Sequence, residues 1–343
     1  KQKPVPSPSR FPPEMPFSEI LGQDSALKAL HHAQQSKRLP HAWLFTGPPR
    51  VGKSKTALAL AQWLNCERGN EDDACGQCPT CRQIAERNYP DCMVLEPDGK
   101  NIRIAQVHQT LRWLQLRADR AKVRVLIVDG AQHFNRESAN AFLKTLEEPP
   151  PGTLIVLIAE APAQLLETLV SRCQLMRFRP LADEQVRTIL AQNPELSEAQ
   201  ITTVLPWALG SVPSGLVGEL ETLAAVQQQT VHWLTTCSAP EALEEILCEM
   251  GNWGGAKSEA WRLMLDFLER WFRDVSWLQH GLPETQLLCP EFRDSLDEGV
   301  RRFSKRWVLE LPEHLARLRE SIELNANKPL ALETLWLHLL KIA

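Results

Sequence analysis

The sequence lacks long apolar runs and lacks an excess of positive charge. No apolar run approaches the roughly 18 residues that a membrane-spanning helix needs, so we expect no membrane span. Lys and Arg together number 38 against 42 for Asp and Glu, which gives a formal net charge of −4. No overall positive field therefore draws the chain onto nucleic acid or an anionic membrane. Any DNA contact must come from a local patch or from a larger assembly.

The sequence also lacks a recognisable secretion signal and an even set of cysteines. Residues 1–13 are polar and proline-rich and contain no apolar signal-peptide core, so we expect a cytoplasmic protein. Nine cysteines, an odd number in a long chain without such a signal, argue against a disulfide framework. Five of them are interpreted as small buried apolar residues, namely Cys92, Cys173, Cys237, Cys248 and Cys289.

Apolar runs and amphipathic segments alternate along the chain up to residue 181. Short apolar runs bounded by Gly, Pro or Asp predict buried strands, and apolar residues at helical spacing predict helices between them. This alternation predicts a parallel sheet with helices on both faces. The predicted strands are 42–46, 92–95, 123–128 and 154–159, and the predicted helices are 25–37, 53–65, 104–116 and 138–146.

No segment beyond residue 181 has the pattern of a strand. Two short helices are predicted within 184–205, and longer amphipathic helices from residue 222 to the end. Six tryptophans on these later helices predict a core, namely Trp233, Trp261, Trp271, Trp277, Trp307 and Trp336. We predict a flexible lead-in at 1–16, an α/β domain at 17–181, a small helical domain at 182–221 and an all-helical domain at 222–343.

The segment after the first predicted strand fits the P-loop pattern G-x-x-x-x-G-K-[ST]. It reads Gly47-Pro48-Pro49-Arg50-Val51-Gly52-Lys53-Ser54 and continues with Lys55. A preceding strand and a following helix favour a true P-loop over a chance match or a relic loop. Backbone N–H groups of such a loop surround phosphate, and the helix N-terminus adds its positive dipole. Lys53 would reach the β- and γ-phosphates and Ser54 would hold Mg²⁺, which predicts a site for ATP or ADP with Mg²⁺.

The strand predicted at 123–128 ends in Asp129, which would orient the Mg²⁺ ion through water. The alternative is a solvated aspartate at a strand end. Many ATPases place Glu next, where it orients or activates the attacking water. Here the next residue is Gly130, and no carboxylate stands at Ala131 or Gln132. The sequence therefore predicts a site that binds ATP but is poorly equipped to hydrolyse it.

Four cysteines, Cys66, Cys75, Cys78 and Cys81, follow C-x8-C-x2-C-x2-C spacing. Four thiolates match a tetrahedral Zn²⁺ ion, and a closed shell of four protein ligands favours a structural role over catalysis. We therefore predict a zinc module at 66–81. An iron–sulfur cluster and four unligated thiols remain as alternatives, and Cys66, outside the tight run, is the least certain ligand.

Several motifs occur together in a telling order. The P-loop and the four cysteines precede the segment Asn140-Ala-Phe-Leu-Lys-Thr-Leu-Glu-Glu-Pro-Pro150, then Ser171-Arg172-Cys173, and finally Asn325-Ala-Asn-Lys-Pro-Leu-Ala-Leu-Glu333. In this order they resemble the clamp-loader branch of the AAA+ family in bacterial DNA polymerase III. The resemblance extends from Phe17 over nearly the whole chain. It implies that the small helical domain is the AAA+ lid and that the all-helical domain is the oligomerisation collar.

Within the family, the departures resemble the delta-prime type of subunit. The gamma and tau motor subunits carry Asp-Glu at the strand end, a sensor Thr after the next strand and a sensor Arg in the lid. Here Gly130, Ala161 and Pro213 stand at the corresponding places, while Arg172 is kept. The start of the 104–116 helix, Ile102-Arg103-Ile104-Ala105-Gln106-Val107, also resembles that type of subunit. The implied role of Arg172 is an arginine finger in trans at the ATP site of a neighbouring gamma or tau subunit.

The resemblance implies the partners and the activity of the whole assembly. They are gamma or tau and delta subunits in a hetero-pentamer, the sliding clamp, and primed DNA reached through the complex, which loads the clamp in DNA replication. One alternative is an active, gamma-like ATPase motor of the same complex. Another is a zinc-ribbon protein that contacts DNA directly, which the acidic net charge disfavours. Arg103, His108 and Arg112 either face DNA in the assembly or form a solvated helix face.

Overall fold

The structure is a computed structural model. It describes residues 16–36, 38–99, 101–116, 118–194, 196–205, 208, 210–212, 220–236, 240–253, 260–323 and 326–342. The predicted lead-in therefore lies outside the described residues except for Pro16, and Pro213, Cys237 and Asn325 lie outside them as well. The described residues up to Ile201, with 208 and 210–212, form one compact unit, and the remaining described residues form a second.

The first unit is built on a five-stranded sheet in the order β2-β3-β4-β1-β5, and every pairing is parallel. The predicted α/β fold with a parallel sheet is thereby confirmed. The strands are β1 Ala42–Thr46, β2 Cys92–Leu95, β3 Arg124–Asp129, β4 Thr153–Ala159 and β5 Gln174–Arg177. The helices are α1 Asp24–Gln35, α2 Lys53–Asn65, α3 Pro79–Ala85, α4 Ile104–Gln115, α5 Arg136–Glu147, α6 Glu167–Val170, α7 Asp183–Ala191 and α8 Glu198–Val204.

The central strands are buried on both faces because helices cover the sheet above and below. All residues of β1 and β4 are buried, so they form continuous apolar runs instead of alternating patterns. Two core clusters follow, one around α1, α2 and the cysteine segment and one around α4 and α5. Because β1 lies between β4 and β5, the segment after Thr46 emerges where the carboxyl ends of three parallel strands meet.

Two elements of this unit were not predicted. Strand β5 has only four residues, of which Met176 alone is buried, so its sequence has no apolar run. It is an edge strand that forms by pairing with β1, from Trp43↔Gln174 to Thr46↔Arg177. Helix α3 begins at Pro79, with Cys78 as N-cap and Pro at the first helical position. It begins inside the cysteine-rich segment 66–81, for which the sequence predicted no helix, and continues to Ala85.

The described part of the second unit is helical. Its helices are α9 Leu220–Thr236, α10 Pro240–Trp253, α11 Ala260–Gln279, α12 Arg293–Arg302, α13 Lys305–Glu323 and α14 Lys328–Ile342. Helix α11 contacts α9, α12 and α13, and α10 contacts α14. Five of the six predicted core tryptophans are buried, namely Trp233, Trp261, Trp271, Trp307 and Trp336. The sixth, Trp277, is half-buried and lies under the Arg273 guanidinium. Among the described helices, none is long and apolar enough to cross a membrane.

Candidate functional site

The predicted P-loop lies between β1 and α2, at the carboxyl edge of the sheet. Its backbone takes positive φ at Gly47 (142°), Arg50 (58°) and Gly52 (102°). A Cβ atom on Gly47 would lie 2.4 Å from the backbone oxygen of Phe178, so only glycine fits there. Gly52 is the left-handed N-cap of α2. These angles turn the chain tightly over the start of the helix, where backbone N–H groups and the helix dipole favour an anion.

The side chain of Lys53 turns back into the loop. Its Nζ donates to the carbonyl oxygens of Gly47 and Pro48, each at 2.5 Å, and the residue is only 7% exposed. Burial lowers the pKa of Lys53, while the carboxylates of Glu160 and Asp129 act in the opposite direction. A phosphate group would replace the two carbonyl oxygens as the partner of this ammonium group.

Ser54 and Asp129 meet although 75 residues separate them. Ser54 Oγ donates to Asp129 Oδ2 at 2.5 Å. The pair joins the first turn of α2 to the end of β3, which is the relation that Mg²⁺ coordination by a P-loop serine requires. Lys55, the remaining predicted binding residue, instead contacts Glu19, with its Nζ 3.3 Å from the backbone oxygen and 3.4 Å from Oε2.

Gly130, at the place of the missing glutamate, has a left-handed backbone with φ 86° and ψ 45°. A Cβ atom there would lie 3.0 Å from His133 Cδ2 and 3.2 Å from Pro97 Cγ. The residue is therefore more than a position without a carboxylate, because the turn after β3 takes a conformation that glycine adopts most readily.

The site also contains a carboxylate that was not predicted from the sequence, at the end of β4. Glu160 follows β4 directly, and its backbone oxygen accepts a hydrogen bond from Gly47 N at 3.0 Å. Its side chain is exposed, and its carboxylate opposes the lowering of the Lys53 pKa by burial. The signal was its place directly after an apolar strand, as for Asp129. Ala161, beside it, carries no polar group.

A buried glutamine ties the P-loop to the segment that leads into α7. Gln23, 1% exposed, donates through Nε2 to Val51 O at 3.2 Å and to Arg179 O at 2.8 Å. Its Oε1 accepts from Arg179 N at 3.1 Å. Further along, Val212 N donates to Arg50 O at 3.2 Å. Gln23 was missed because nothing in the sequence relates it to positions 28 and 156 residues away.

The four predicted metal ligands lie together. The Sγ atoms of Cys66, Cys75, Cys78 and Cys81 are all within 4.8 Å of one another, so the cluster could hold a metal ion. Cys66 Sγ lies 3.5 Å from Cys75 Sγ and 3.9 Å from Cys78 Sγ. Tetrahedral Zn²⁺ with Zn–S bonds of about 2.3 Å implies sulfur–sulfur separations of about 3.8 Å, which matches. The separations are too long for disulfides, and all four thiols are free.

The protonation of the cluster also fits a cation. Burial opposes ionisation of Cys75, but hydrogen bonds from the Gln77 and Cys78 backbone and from neighbouring thiols lower its pKa to about 7. Burial raises the pKa of Cys81, and the nearby sulfurs raise it further. Four adjacent thiolates repel one another in a buried cluster, so all four ionise together only around a positive ion.

Arg172 lies in the turn between α6 and β5, and its side chain is 34% exposed. Its guanidinium forms an ion pair with Glu147, at 2.5 Å from Nη2 to Oε1. It belongs to the same unit as the P-loop, and its side chain lies partly exposed at the surface. Cys173, which follows, is half-buried, and burial raises its pKa to about 12.

The candidate DNA-facing residues lie on or beside α4. Arg103, His108 and Arg112 are all exposed, and Arg103 forms an ion pair with Asp98 at 3.2 Å. These positions fit a solvated helix face as well as they fit a contact surface.

The site and the fold together define an α/β protein with a parallel sheet and a P-loop at its carboxyl edge. Residues 22–182, just under half of the chain, match the sequence model of a family described as DNA polymerase III, delta subunit. Bacillus subtilis DNA polymerase III subunit delta' is 34% identical over 171 residues, which cover 50% of this chain and 52% of the relative. Pseudomonas aeruginosa DNA polymerase III subunit delta' is 38% identical over 135 residues, 39% of this chain and 41% of the relative.

A tau subunit matches at the same identity as the first of these. Escherichia coli DNA polymerase III subunit tau is 34% identical over 171 residues, 50% of this chain and 26% of the relative. The chain thus spans about half the length, or less, of these curated relatives. The comparisons confirm the predicted resemblance to the clamp-loader subunits of DNA polymerase III. Because delta' and tau match at the same identity, the similarity does not distinguish between these two types of subunit.

Proposed function

We propose that the chain is a delta-prime-type subunit of a DNA polymerase III clamp loader, acting in the cytoplasm. It would bind ATP or ADP with Mg²⁺ but not hydrolyse it at a useful rate. The observation that carries the proposal is a contrast between two parts of the site. Lys53 and Ser54 are in place beside Asp129, whereas Gly130, in a left-handed turn, offers no carboxylate to the attacking water.

The residues that would hold the nucleotide are those of the P-loop. Backbone N–H groups of the non-proline residues from Gly47 to Ser54 would bind the phosphates. The ammonium group of Lys53 would contact the β- and γ-phosphates. Mg²⁺, when bound, neutralises phosphate charge; Ser54 would be its direct ligand and Asp129 would orient its water shell. The cysteine cluster would hold a structural Zn²⁺ ion, since all four positions are occupied by protein sulfur.

The contribution to catalysis would come from Arg172, acting on ATP bound to a neighbouring gamma or tau subunit. Its surface position in a short turn supports this, since an arginine that acts on another chain must be accessible on the surface of its own. A guanidinium there stabilises the charge that develops during phosphoryl transfer. We further propose that residues 182–221 form the lid and 222–343 the collar of a hetero-pentamer with gamma or tau and delta, which loads the sliding clamp onto primed DNA.

The test is ATP hydrolysis by the full chain alone and after reconstitution with gamma- or tau-type and delta subunits. The lone chain should bind nucleotide with negligible turnover. Arg172→Ala should abolish most hydrolysis at the one adjacent site, since arginine fingers contribute on the order of 10³–10⁵ in kcat. The total rate should fall by that site's share, while nucleotide binding by the isolated variant stays unchanged. An unaltered total rate would refute the finger assignment.

The second candidate is an active gamma/tau-like motor, which the 34% identity to the tau subunit supports as strongly as the same identity to delta' supports the first candidate. The same measurement separates the two. Robust steady-state hydrolysis by the lone chain supports the motor and overturns the delta-prime proposal.

A further inference from the structure

The guanidinium of Arg172 is held by several groups of its own chain. Nε and Nη2 donate to the same oxygen of Glu147, at 2.9 and 2.5 Å. Nη1 donates to Thr168 O at 2.9 Å and to Ser171 Oγ at 3.3 Å. Four contacts therefore involve three nitrogens of a group that has five N–H donors, so the orientation of the side chain is defined while part of it remains available.

The position of Glu147 suits this task. It is the last residue of the twelve-residue helix α5, and Pro149 and Pro150 follow, so the helix ends there. Its carboxylate therefore adds to the negative end of a helix dipole, and both attract the cationic side chain of Arg172. The two residues are 25 positions apart in the chain, so the contact joins α5 to the turn before β5.

Folding stability does not account for the pair. Its side chains are 34% and 47% exposed, and ion pairs at such exposure contribute little to stability. What the pair does is restrict a long side chain that otherwise samples many rotamers. An arginine that must meet phosphate in a fixed direction gains from being oriented beforehand.

We propose that Glu147 is a positioning residue for Arg172. It orients the guanidinium towards a phosphate group of the ATP bound to the neighbouring subunit. This inference rests on the proposed role of Arg172 as a finger. The incoming phosphate oxygen takes the free N–H of Nη2 and displaces the longest contact, that of Nη1 with Ser171 Oγ. The Glu147 pair stays intact throughout, since the N–H groups of Nε and Nη2 that it uses lie on the other edge of the guanidinium.

The test uses Glu147→Gln, which keeps the shape and removes the charge. The matched control is Glu148→Gln, because Glu148 is exposed and makes no ion pair among the residues that the structure describes. In the isolated full chain, phenylglyoxal labels accessible arginines, and peptide mass spectrometry gives the rate at Arg172. Glu147→Gln should raise that rate about two- to fivefold, the factor that corresponds to losing an exposed ion pair. Glu148→Gln should leave it unchanged.

The second readout is ATP hydrolysis by the reconstituted complex. Glu147→Gln should lower kcat towards that of Arg172→Ala without changing KM for ATP, and Glu148→Gln should behave as the parent. If Arg172→Ala lowers kcat but Glu147→Gln changes neither labelling nor kcat, the positioning inference is overturned and the proposed function stands. Faster labelling without a loss of kcat overturns it as well. If Arg172→Ala itself leaves kcat unchanged, the proposed function fails, and the inference with it.

Discussion

Substituting Gly130 tests whether the turn after β3 is built to exclude a side chain. Gly130→Glu introduces a carboxylate at the place where motor subunits of the family carry one, and Gly130→Ala introduces only a Cβ atom. Because the backbone at Gly130 is left-handed, with φ 86°, we expect both variants to be less stable than the parent. We also expect Gly130→Glu not to bring hydrolysis to the lone chain.

The size of the effect follows from three contributions. An L-residue in the left-handed region costs roughly 1–2 kcal/mol relative to the right-handed one. Replacing Gly reduces the entropy of the unfolded chain and offsets about 0.4–1 kcal/mol of this. The added Cβ atom meets His133 Cδ2 at 3.0 Å and Pro97 Cγ at 3.2 Å, which requires a small shift of both rings. The net loss should be about 1 kcal/mol for Ala and similar or slightly larger for Glu.

The assay is urea unfolding followed by circular dichroism, together with steady-state ATP hydrolysis by the lone chain. The Ala variant separates the backbone cost from any effect of the carboxylate. A Gly130→Ala protein as stable as the parent would show that the turn accepts side chains. Rapid hydrolysis by Gly130→Glu would show that the carboxylate was the only missing part, and would refute the expectation that further parts of the hydrolytic site are absent.

Three further predictions concern separate parts of the first unit. Lys53→Ala should weaken ADP binding about 10- to 100-fold, because a charge-assisted hydrogen bond contributes about 1.5–3 kcal/mol. Since burial lowers the pKa of Lys53, the affinity of the parent for ADP should begin to fall at a pH below the pKa of an ordinary lysine. Calorimetry at a series of pH values measures this. Cys75→Ser should remove bound zinc in metal analysis, and a full zinc content in this variant would contradict the four-sulfur site. Burial opposes ionisation of Asp91, yet hydrogen bonds from three backbone N–H groups and Arg124 lower its pKa to about 2. Because its unfolded pKa is higher, about 2 kcal/mol of stability should be present above pH 4 and lost as the pH falls towards 2. Acid unfolding of Asp91→Asn should lack that loss.

Much of the fold could be predicted from local sequence patterns. The ranges 42–46, 92–95 and 53–65 agree with β1, β2 and α2, because each is a run of apolar or helix-forming residues with clear boundaries. Strand β5 could not be predicted, since its neighbour β1 supplies its hydrogen bonds and only two of its four residues are apolar. Such elements depend on contacts across the chain, which periodicity does not contain.

The candidate site divides in the same way. The P-loop is contiguous, so its motif contains most of what its geometry needs. Three other contacts join residues that lie 75, 156 and 25 positions apart in the sequence. They are Ser54 with Asp129, Gln23 with Arg179, and Arg172 with Glu147. The first pair was predicted from the P-loop pattern. The other two had no sequence signal, because a buried glutamine and an exposed glutamate are ordinary residues until their partners are known.

An intact P-loop is weak support for turnover in this chain, because its residues also stabilise the fold. Lys53 bonds two loop carbonyl oxygens, and Val51 O accepts from the buried Gln23. Loss of these residues would leave buried polar groups without partners, whatever happens to hydrolysis. No side chain at Gly130 or Ala161 takes part in these P-loop hydrogen bonds, so hydrolysis can be absent while the loop stays whole. The decisive measurement is therefore turnover by the lone chain and not nucleotide binding.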